Sequence, residues 1–197
     1  QAASLGVLVD ATAQCFRDLI GHDRVMVYKF DADGHGKIMA EARDPRLESL
    51  LGHHYPASDI PQRARELYLR NRVRVLVDVH YEPSALVDAE GQLVGDAIDL
   101  SMSYLRSMSP LHLQYLKNMG VTGTLVVSLV REGQLWGLIA AHHDSPRTIS
   151  PVLRAACEEA ARWPAPLTVA VNLSAAQFRR GEAIVTEVAE ELAHSGL

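Results

Sequence analysis

The sequence predicts an α+β domain built on a mainly antiparallel sheet, with helices packed on one side of it. Two strand-like segments lie in residues 24–43 and two more in 121–144, and each pair is joined by a short turn, as in hairpins. Strands and helices do not alternate regularly, so a parallel sheet of βαβ units is not expected. The apolar fraction of 48% is high enough to form a packed core.

The first half of the chain is expected to open with a helix followed by a hairpin. Helical spacing of apolar residues predicts an amphipathic helix that ends at Gly21, a residue type favoured at helix C-termini. Its apolar stripe is assigned to Leu5, Leu8, Val9, Thr12, Phe16 and Leu19. Alternating patterns predict strands at Arg24–Phe30 and 37–43, with turn residues at Asp31–Gly36.

A polar loop, a helix at about 61–71 and a strand at 73–79 are expected next. Pro61 suits the first helical turn, where its missing N–H costs nothing. Residues 82–95 have the composition of a surface excursion, and 99–119 are expected to be mostly helix or turn, broken at Pro110. Two central strands, 121–132 and 134–144, then flank a short turn at Gly133.

The pattern changes at about Pro151, so we predict one domain in residues 1–150 and a separate segment in 151–197. A helix is expected in 152–163, a strand in 167–173 and an amphipathic helix in 182–193. This helix, strand and helix order is a β/α pattern that fits poorly with an antiparallel sheet.

Charge and composition exclude several classes of protein. Lysine and arginine number 19 against 24 acidic residues, so no large phosphate-binding face and no nucleic-acid partner are expected. No run approaches the ~18 apolar residues of a membrane helix, and the first residues lack a signal-peptide layout. We therefore expect a cytoplasmic protein without a membrane partner. The two cysteines, Cys15 and Cys157, are expected to be packing residues rather than disulfide or zinc ligands.

Four segments carry more polar groups than a core needs. In the first, Asp59 lies between Pro56 and Pro61, where the composition alone favours a helix N-cap. In the second, Arg72 or Arg74 is able to bind a carboxylate, although cations are also common at helix C-termini.

The third polar segment, 99–116, places Arg106, Ser109, His112 and Tyr115 at steps of three. If it is helical, these residues share one side that is wide enough to line a pocket. The fourth segment ends a strand with His142 and His143, of which only one faces inward. Histidines and carboxylates at zinc-ligand spacing, a nucleophile elbow and a phosphate-binding glycine loop are missing from the sequence. The sequence therefore predicts neither a metal site nor an enzyme.

Together these segments resemble the chromophore-binding GAF domain of phytochromes, particularly bacteriophytochromes. The resemblance covers about residues 5–147 and is carried by DRVMVYKFDADGHGKIMAEAR, YPASDIPQRARELYLRNRVR, DLSMSYLRSMSPLHLQYLKNMGV and LWGLIAAHHDSPR. It implies a GAF fold and a linear tetrapyrrole, biliverdin in the bacterial group, that isomerises on absorbing red light. It also implies PHY-type or output domains as partners in the parent protein.

The resemblance implies a role for most of the polar residues. Asp59 would lie near the pyrrole nitrogens and ring D, and His112 would organise the pyrrole water and the protonation of the bilin. Arg74 and Arg106 would bind the two propionates, with Tyr68 and Ser109 assisting. Tyr28, Tyr55 and His142 would surround ring D. The complete predicted set is Tyr28, Tyr55, Asp59, Ile60, Pro61, Tyr68, Arg74, Arg106, Ser109, His112, Tyr115 and His142.

The chain departs from the family at the attachment cysteine. Plant and many cyanobacterial members have a cysteine immediately before the pocket histidine, whereas this chain has Leu111 there. Bacterial members attach biliverdin through a cysteine in a preceding PAS domain, so we do not expect the family's covalent attachment site in this sequence. Cys15 is a poor substitute, because the amphipathic pattern places it next to the buried stripe.

The tail, 151–197, is similar to an internal part of EAL domains, which hydrolyse cyclic di-GMP with divalent metals. Asn172 would match a metal ligand there, but only in a complete domain, and about 47 residues cannot form a barrel of ~250. We therefore expect a red/far-red photosensory module whose parent protein is linked to cyclic di-GMP turnover. The alternative is a chromophore-free GAF interaction or dimerisation module, in which the same strands form a scaffold and the pocket is filled by side chains or bypassed. For the tail itself, the alternative to an EAL fragment is a homodimer contact, because Ile184, Val185, Val188 and Leu192 lie on one stripe of the predicted helix.

Overall fold

A computed structural model describes residues 4–94, 98–103 and 106–160, excluding the side chains of residues 152, 156, 159 and 160. Its helices are α1 (Leu5–Ile20), α2 (Gln62–Arg70), α3 (Pro110–Asn118) and α4 (Pro151–Ala160). Its strands are β1 (Arg24–Phe30), β2 (Gly36–Arg43), β3 (His54–Tyr55), β4 (Val73–Leu76), β5 (Gly123–Arg131) and β6 (Gln134–His143). A short 3-10 turn covers Ala57–Asp59.

The strands form one six-stranded sheet in the order β3-β2-β1-β6-β5-β4, and every neighbouring pair is antiparallel. This confirms the predicted antiparallel sheet and both predicted hairpins. Glu132 and Gly133 connect β5 to β6 with φ angles of 52° and 75°, as a type I′ hairpin turn requires. Strand β4 ends at Leu76, earlier than predicted, although Val79 N still bonds to Thr122 O at 2.9 Å.

Helix α1 has the predicted ends but a different buried face. Ser4 Oγ accepts a hydrogen bond from Val7 N, and Gly21 ends the helix in the left-handed conformation at φ 63°. The buried residues are Val9, Ala13 and Ile20, whereas Leu8 and Leu19 of the predicted stripe are 50% and 61% exposed.

The two cysteines differ in their surroundings. Cys15 lies on the exposed side of α1, so its prediction as a packing residue was wrong. Cys157 of α4 is buried as expected. Burial raises the pKa of the Cys157 thiol to about 11, which keeps it protonated and poorly nucleophilic at neutral pH.

Helices cover both faces of the sheet, which corrects the expectation of helices on one side. On one face, α1 and α4 pack Ile20, Leu153 and Cys157 against sheet residues such as Val25 and Leu125. On the other face, Met26 and Leu138 of the sheet are covered by three residues. These are Tyr55 of β3, Ile60 after the 3-10 turn and Tyr68 of α2. Successive side chains along a strand point to opposite faces of the sheet. Val25 therefore faces α1 and α4, whereas the next residue, Met26, faces α2. We call the second side the α2 face.

Helix α3 is shorter than the helical segment predicted in 99–119. It begins at Pro110, after Ser109 adopts the extended backbone (φ −57°, ψ 132°) that a following proline favours. Leu116 of α3 packs with Leu76, Val79 and Val121 at the end of the sheet. The surface excursion predicted in 82–95 is exposed at residues 82–93, and its described part contains one bridge, between Val87 and Leu93.

Helix α4 begins at the predicted boundary but belongs to the core just described, since Leu153 and Cys157 pack there. The separation of 1–150 from 151–197 remains a prediction. The strand expected at 167–173, the helix expected at 182–193 and Asn172 lie outside the described residues. Within the described part of the chain, no helix is long and apolar enough to cross a bilayer.

Candidate chromophore-binding site

The candidate site lies on the α2 face, where strand register gathers distant residues. Tyr28 on β1 is paired with Leu138 on β6, and Arg24 is paired with His142. Arg74 on β4 is paired with Val126 on β5. Tyr28, Tyr55, Ile60 and Tyr68 belong to one apolar cluster with Met26, Ile38 and Leu138. The structure thus brings these four predicted residues together.

Tyr28 forms an aromatic wall of the site. Its ring contacts Phe30 edge to face at 5.0 Å and lies 6.0 Å from the Tyr55 ring. Gly36 is required beside it, because a Cβ at this position would overlap the phenol ring. Burial raises the pKa of Tyr28 to about 12, so the phenol stays protonated and able to donate a hydrogen bond.

Arg74 provides a buried cation at the β4 edge. Its Nη1 donates to Asn71 O at 2.9 Å and to Ser128 Oγ at 3.1 Å, and its Cζ lies 3.5 Å from the Tyr68 ring centre. Its Nη2 is buried with no hydrogen-bond partner among the described residues. Burial, together with the nearby charge of Arg106, lowers the pKa of Arg74 to about 10.

A second cation, Arg106, is linked to the first through Asn71. Arg106 Nη1 donates to Ser103 O at 2.7 Å. With its amide oriented for the best hydrogen bonding, Asn71 accepts from Arg106 Nη1 through its side-chain oxygen at 2.9 Å. Burial, followed by the charge of Arg154, lowers the pKa of Arg106. Neither Arg74 nor Arg106 pairs with a carboxylate in the described part of the chain.

Two histidines add uncharged hydrogen-bonding groups. His142 Nδ1 is buried without a partner in the described residues, and burial lowers the pKa of His142 to about 4. Burial, with a smaller effect of Arg74, also lowers the pKa of His112. The His112 ring is stacked 6.4 Å from that of Tyr115, one turn further along α3. A neutral imidazole offers one donor and one acceptor, which suits a polar but uncharged group of a ligand.

Asp59 lies at the end of the 3-10 turn with an exposed side chain. It does not cap α2, because the N-cap is Pro61 and no side chain bonds to the helix start. The capping interpretation of Asp59 was therefore wrong, and Pro61 precedes the helix instead of occupying its first turn. Ile60 between them is half-buried in the apolar cluster.

The predicted helical row of Arg106, Ser109, His112 and Tyr115 does not form. Ser109 occupies the exposed N-cap position of α3, and Arg106 precedes the helix, so only His112 and Tyr115 share it. Arg106 nevertheless comes close enough to Arg74 for the two charges to repel each other. Ser109 makes no side-chain cap bond to α3, and its assisting role remains a prediction.

His143 turns away from His142 and joins Asp23 instead. Ligand-type atoms of Asp23, His143 and Asp144 lie within 4.8 Å of one another, a grouping that sequence spacing did not reveal. Asp23 Oδ2 already accepts from Asp144 N at 2.9 Å and lies 2.7 Å from His143 Nδ1. These contacts explain why the three residues lie close together, because they connect the end of β6 to the segment before β1.

Comparison with known proteins identifies the fold. A family profile described as "GAF domain" matches residues 4–163. The chain belongs to the GAF domain family. It is 50% identical to a bacteriophytochrome of Xanthomonas campestris pv. campestris (strain 8004), an alignment that covers 91% of this chain and 28% of that protein. It is 49% identical to cyanobacterial phytochrome B of Nostoc sp., over 74% of this chain and 19% of that protein.

Solved structures agree with this assignment. The chromophore-binding domain of the bacteriophytochrome RpBphP3 from R. palustris matches this GAF domain with a TM-score of 0.73 and 42% identity, covering 82% of this chain and 54% of that chain. The chromophore-binding domain of a Stigmatella aurantiaca phytochrome matches with a TM-score of 0.73 and 43% identity, covering 81% and 52%. The chain spans less than a third of the length of the curated relatives named above.

Two residues of the GAF site were missed from the sequence. Asn71 joins Arg74 to Arg106, and Arg65 on α2 bonds to carbonyl groups of the turn that contains Asp59. Arg65 donates to two backbone carbonyls, whereas Asn71 accepts from Arg74 through its backbone carbonyl and from Arg106 through its side-chain oxygen. The positions of these groups depend on turn geometry rather than on residue spacing. The only available signal was their position within the segment YPASDIPQRARELYLRNRVR, which contains both residues.

Proposed function

We propose that this GAF domain is a red/far-red photosensory module that binds biliverdin or a related linear tetrapyrrole. The observation that carries the proposal is a pair of buried nitrogens on the α2 face, Arg74 Nη2 and His142 Nδ1, without protein partners in the described residues. Buried polar groups in native proteins are nearly always hydrogen-bonded, so these two atoms indicate a polar ligand. The similarity to a bacteriophytochrome and to the chromophore-binding domain of another bacteriophytochrome supports a chromophore as that ligand.

The chemistry of the site fits a bilin. The pigment carries two propionates, and Arg74 and Arg106 are two cations without a described carboxylate partner. A guanidinium binds a carboxylate through two parallel hydrogen bonds, which gives both affinity and orientation. The flat apolar part of the pigment suits the wall formed by Tyr28, Tyr55 and Ile60.

The residues would divide the work as follows. Arg74 and Arg106 would hold the propionates, with Tyr68 stacked against Arg74 and Ser109 assisting. Asp59 would lie near the pyrrole nitrogens, and His112 would help to hold the pyrrole protons. Tyr28, Tyr55 and His142 would surround ring D, while Ile60, Pro61 and Tyr115 would complete the wall.

When bound, the bilin supplies a red-absorbing chromophore that isomerises about one methine double bond. The contribution of His142 is a hydrogen bond that one isomer accepts and the other does not. Its low pKa keeps the imidazole neutral at pH 7, so a single N–H donates in a defined direction. Such a differential contact is what a ligand needs to shift a protein between two states.

The first test is absorption spectroscopy of the purified chain mixed with biliverdin. We expect a long-wavelength band that changes on red illumination and is partly restored by far-red light or in darkness. The band should disappear on denaturation, because Cys15 is exposed on α1 and Cys157 is buried among core residues on the opposite side of the sheet from Tyr28. A preparation that never acquires the band would overturn the proposal and favour the chromophore-free interaction module.

We also propose that the parent protein couples this sensor, through PHY-type or output domains, to cyclic di-GMP turnover. The proposal rests on the sequence resemblance of 151–197 to part of an EAL domain, where Asn172 would correspond to a metal ligand. The GAF match includes residues 151–163 of this segment. The chain itself is proposed not to be an enzyme, because the segment is too short for the barrel. Incubation with cyclic di-GMP and magnesium should give no turnover, and clear turnover would refute this.

A homodimer is proposed on the basis of the outer side of α1. Leu5, Leu8 and Leu19 are 47%, 50% and 61% exposed, although leucine is usually buried. Sedimentation of the chain and of its Leu8→Gln and Leu19→Gln double variant tests this. A wild-type dimer that the variant converts to a monomer is expected, and a wild-type monomer would contradict the proposal.

A further inference from the structure

We propose that Arg65 is a positioning residue that fixes the turn containing Asp59 against the wall containing Tyr28. The inference deepens the proposed function and rests on it. The Arg65 side chain extends back beyond the start of α2 and donates hydrogen bonds to carbonyl groups of the preceding turn. Helix α2 does not need these contacts in order to form, which suggests that they serve the turn.

The turn is held at both of its ends. Arg65 Nε donates to Ile60 O at 2.7 Å, and Arg65 Nη2 donates to Ala57 O at 2.9 Å. Hydrogen bonds from a charged donor are stronger than those between neutral groups. Within the turn itself, Asp59 N donates to Pro56 O at 3.1 Å. Arg65 therefore supplies two charged hydrogen bonds, one at each end of the turn, that help to define where Asp59 lies.

The same guanidinium also faces the hairpin that carries Tyr28. Its Cζ lies 5.2 Å from the centre of the Phe30 ring, and Phe30 in turn contacts Tyr28 edge to face. Gly34 leaves room for the guanidinium, because a Cβ there would overlap its nitrogens. One planar group thus contacts both the β1–β2 hairpin and the Asp59 turn.

This arrangement explains how an exposed carboxylate is placed accurately. Asp59 makes no side-chain hydrogen bond in the described part of the chain, so its position follows from the backbone of its turn. Residues that act on a ligand need support from neighbours whose own conformations are fixed. Arg65 is anchored on α2, whereas the turn is a single 3-10 unit with little intrinsic stability.

Lysine cannot replace arginine in this role. The two carbonyl groups are bonded by different nitrogens of one rigid fork, Nε and Nη2, whereas lysine has a single nitrogen at the end of a flexible chain. Arg65→Lys keeps the charge and much of the length but loses one of the two contacts. Arg65→Met keeps the aliphatic packing and loses both. Arg63→Met is the matched control, because Arg63 is an exposed residue of the same helix.

The first readout needs no pigment. Hydrogen exchange of the full chain should show faster exchange of the Asp59 amide in Arg65→Lys, by about tenfold, which corresponds to about 1.4 kcal/mol. The effect should be larger in Arg65→Met and absent in Arg63→Met. Exchange in β5 and β6 reports whether the variants remain folded. Unchanged exchange at Asp59 in both Arg65 variants would refute the positioning role whether or not the chain binds a bilin.

The second readout uses biliverdin and separates the two proposals. Both Arg65 variants should bind pigment in amounts close to wild type, since the arginines expected to hold the propionates are intact. The rate of thermal return after red illumination should change about tenfold in Arg65→Lys, with Arg63→Met equal to wild type. Identical return kinetics in wild type and Arg65→Lys would refute the Arg65 inference alone. Failure of the wild-type chain to bind biliverdin would instead refute the proposed function.

Discussion

The guanidinium carbon of Arg74 lies 3.5 Å from the centre of the Tyr68 ring, so the cation is stacked on the face of the phenol. This contact, with the bonds to Asn71 O and Ser128 Oγ, holds a charged group that is 7% exposed. An aromatic face and neutral oxygens orient a guanidinium without neutralising it. The positive charge therefore remains available to an anion on the α2 face.

Arg74→Met is expected to weaken biliverdin binding by more than about tenfold without lowering the stability of the pigment-free chain. The folded state lowers the pKa of Arg74 from its ordinary 12.5 to about 10, so carrying this charge costs the fold free energy of about 3 kcal/mol at pH 7. Arg74→Met removes this unfavourable buried charge, and the resulting gain in stability offsets the loss of the hydrogen bonds to Asn71 O and Ser128 Oγ. Pigment titration and denaturant unfolding measure the two quantities.

Arg70→Met is the control for this experiment, because Arg70 is exposed at the end of α2. It should change neither binding nor stability appreciably. Retention of wild-type affinity by Arg74→Met would contradict the assignment of Arg74 to a propionate. A large loss of stability without pigment would show instead that Arg74 is mainly a structural residue.

Gly36→Ala tests the packing of the Tyr28 wall. A Cβ at Gly36 would overlap the phenol ring, so the ring or strand β2 must move. Overpacking of this kind typically costs about 1–3 kcal/mol of unfolding free energy. Gly6→Ala is the control, since among the described side chains a Cβ there would meet only Ser4 Oγ, at 3.8 Å, and alanine favours a helix. If thermal unfolding shows that Gly36→Ala is as stable as wild type, the Tyr28 ring can move aside at little cost in unfolding free energy.

Much of the fold was predictable because local patterns decide it. The period-2 pattern and the turns located β1, β2, β5 and β6, and Gly21 located the end of α1. The buried face of α1 was not predictable, because apolar residues lie nearly all round this helix. The sheet selected the side with Val9 and Ala13, which fit against the small Ala40 and Ala42.

The site residues were predicted from sequence motifs that resemble those of phytochrome GAF domains, and residue spacing alone did not predict their arrangement. Spacing placed Arg106 and His112 on one helix, yet the backbone before Pro110 is extended, so Arg106 reaches Asn71 from a non-helical segment. Arg65 was missed because its partners are carbonyl oxygens exposed by a turn, and Asn71 was missed because it accepts hydrogen bonds from two arginines on different segments. Hydrogen bonds of that kind have no characteristic residue spacing.

His22 is expected to make the stability of the chain dependent on pH between about 6.5 and 4. It is 2% exposed, and burial lowers its pKa from 6.5 to about 4. In this interval the unfolded chain binds a proton that the folded chain does not. The unfolding free energy should therefore fall as the pH falls, with a slope from this residue of up to about 1.4 kcal/mol per pH unit.

Urea unfolding at pH 7.0, 5.5 and 4.5 measures this slope in wild type and in His22→Gln. The variant lacks the titrating group and should be less sensitive to acid, even if its stability at pH 7 is lower. His80→Gln is the control, because His80 is exposed. An equal pH dependence in wild type and His22→Gln would show that His22 takes up its proton as easily in the folded state as in the unfolded one.

Asp59→His should separate photochemistry from folding and from pigment binding. The Asp59 side chain is exposed and makes no hydrogen bond in the described residues, so its replacement should change the unfolding free energy by less than about 0.5 kcal/mol. Pigment should still bind, because Arg74 and Arg106 are unaltered. Photoconversion should fall, because the carboxylate that we propose to lie near the pyrrole nitrogens is replaced by an imidazole, which carries no negative charge. Glu66→Gln is the control for a general loss of negative charge, because Glu66 is an exposed acid on α2.

Full photoconversion of Asp59→His would show that Asp59 is not part of the photochemical site. Loss of both pigment binding and stability would instead assign Asp59 a structural role, which its exposed position does not suggest.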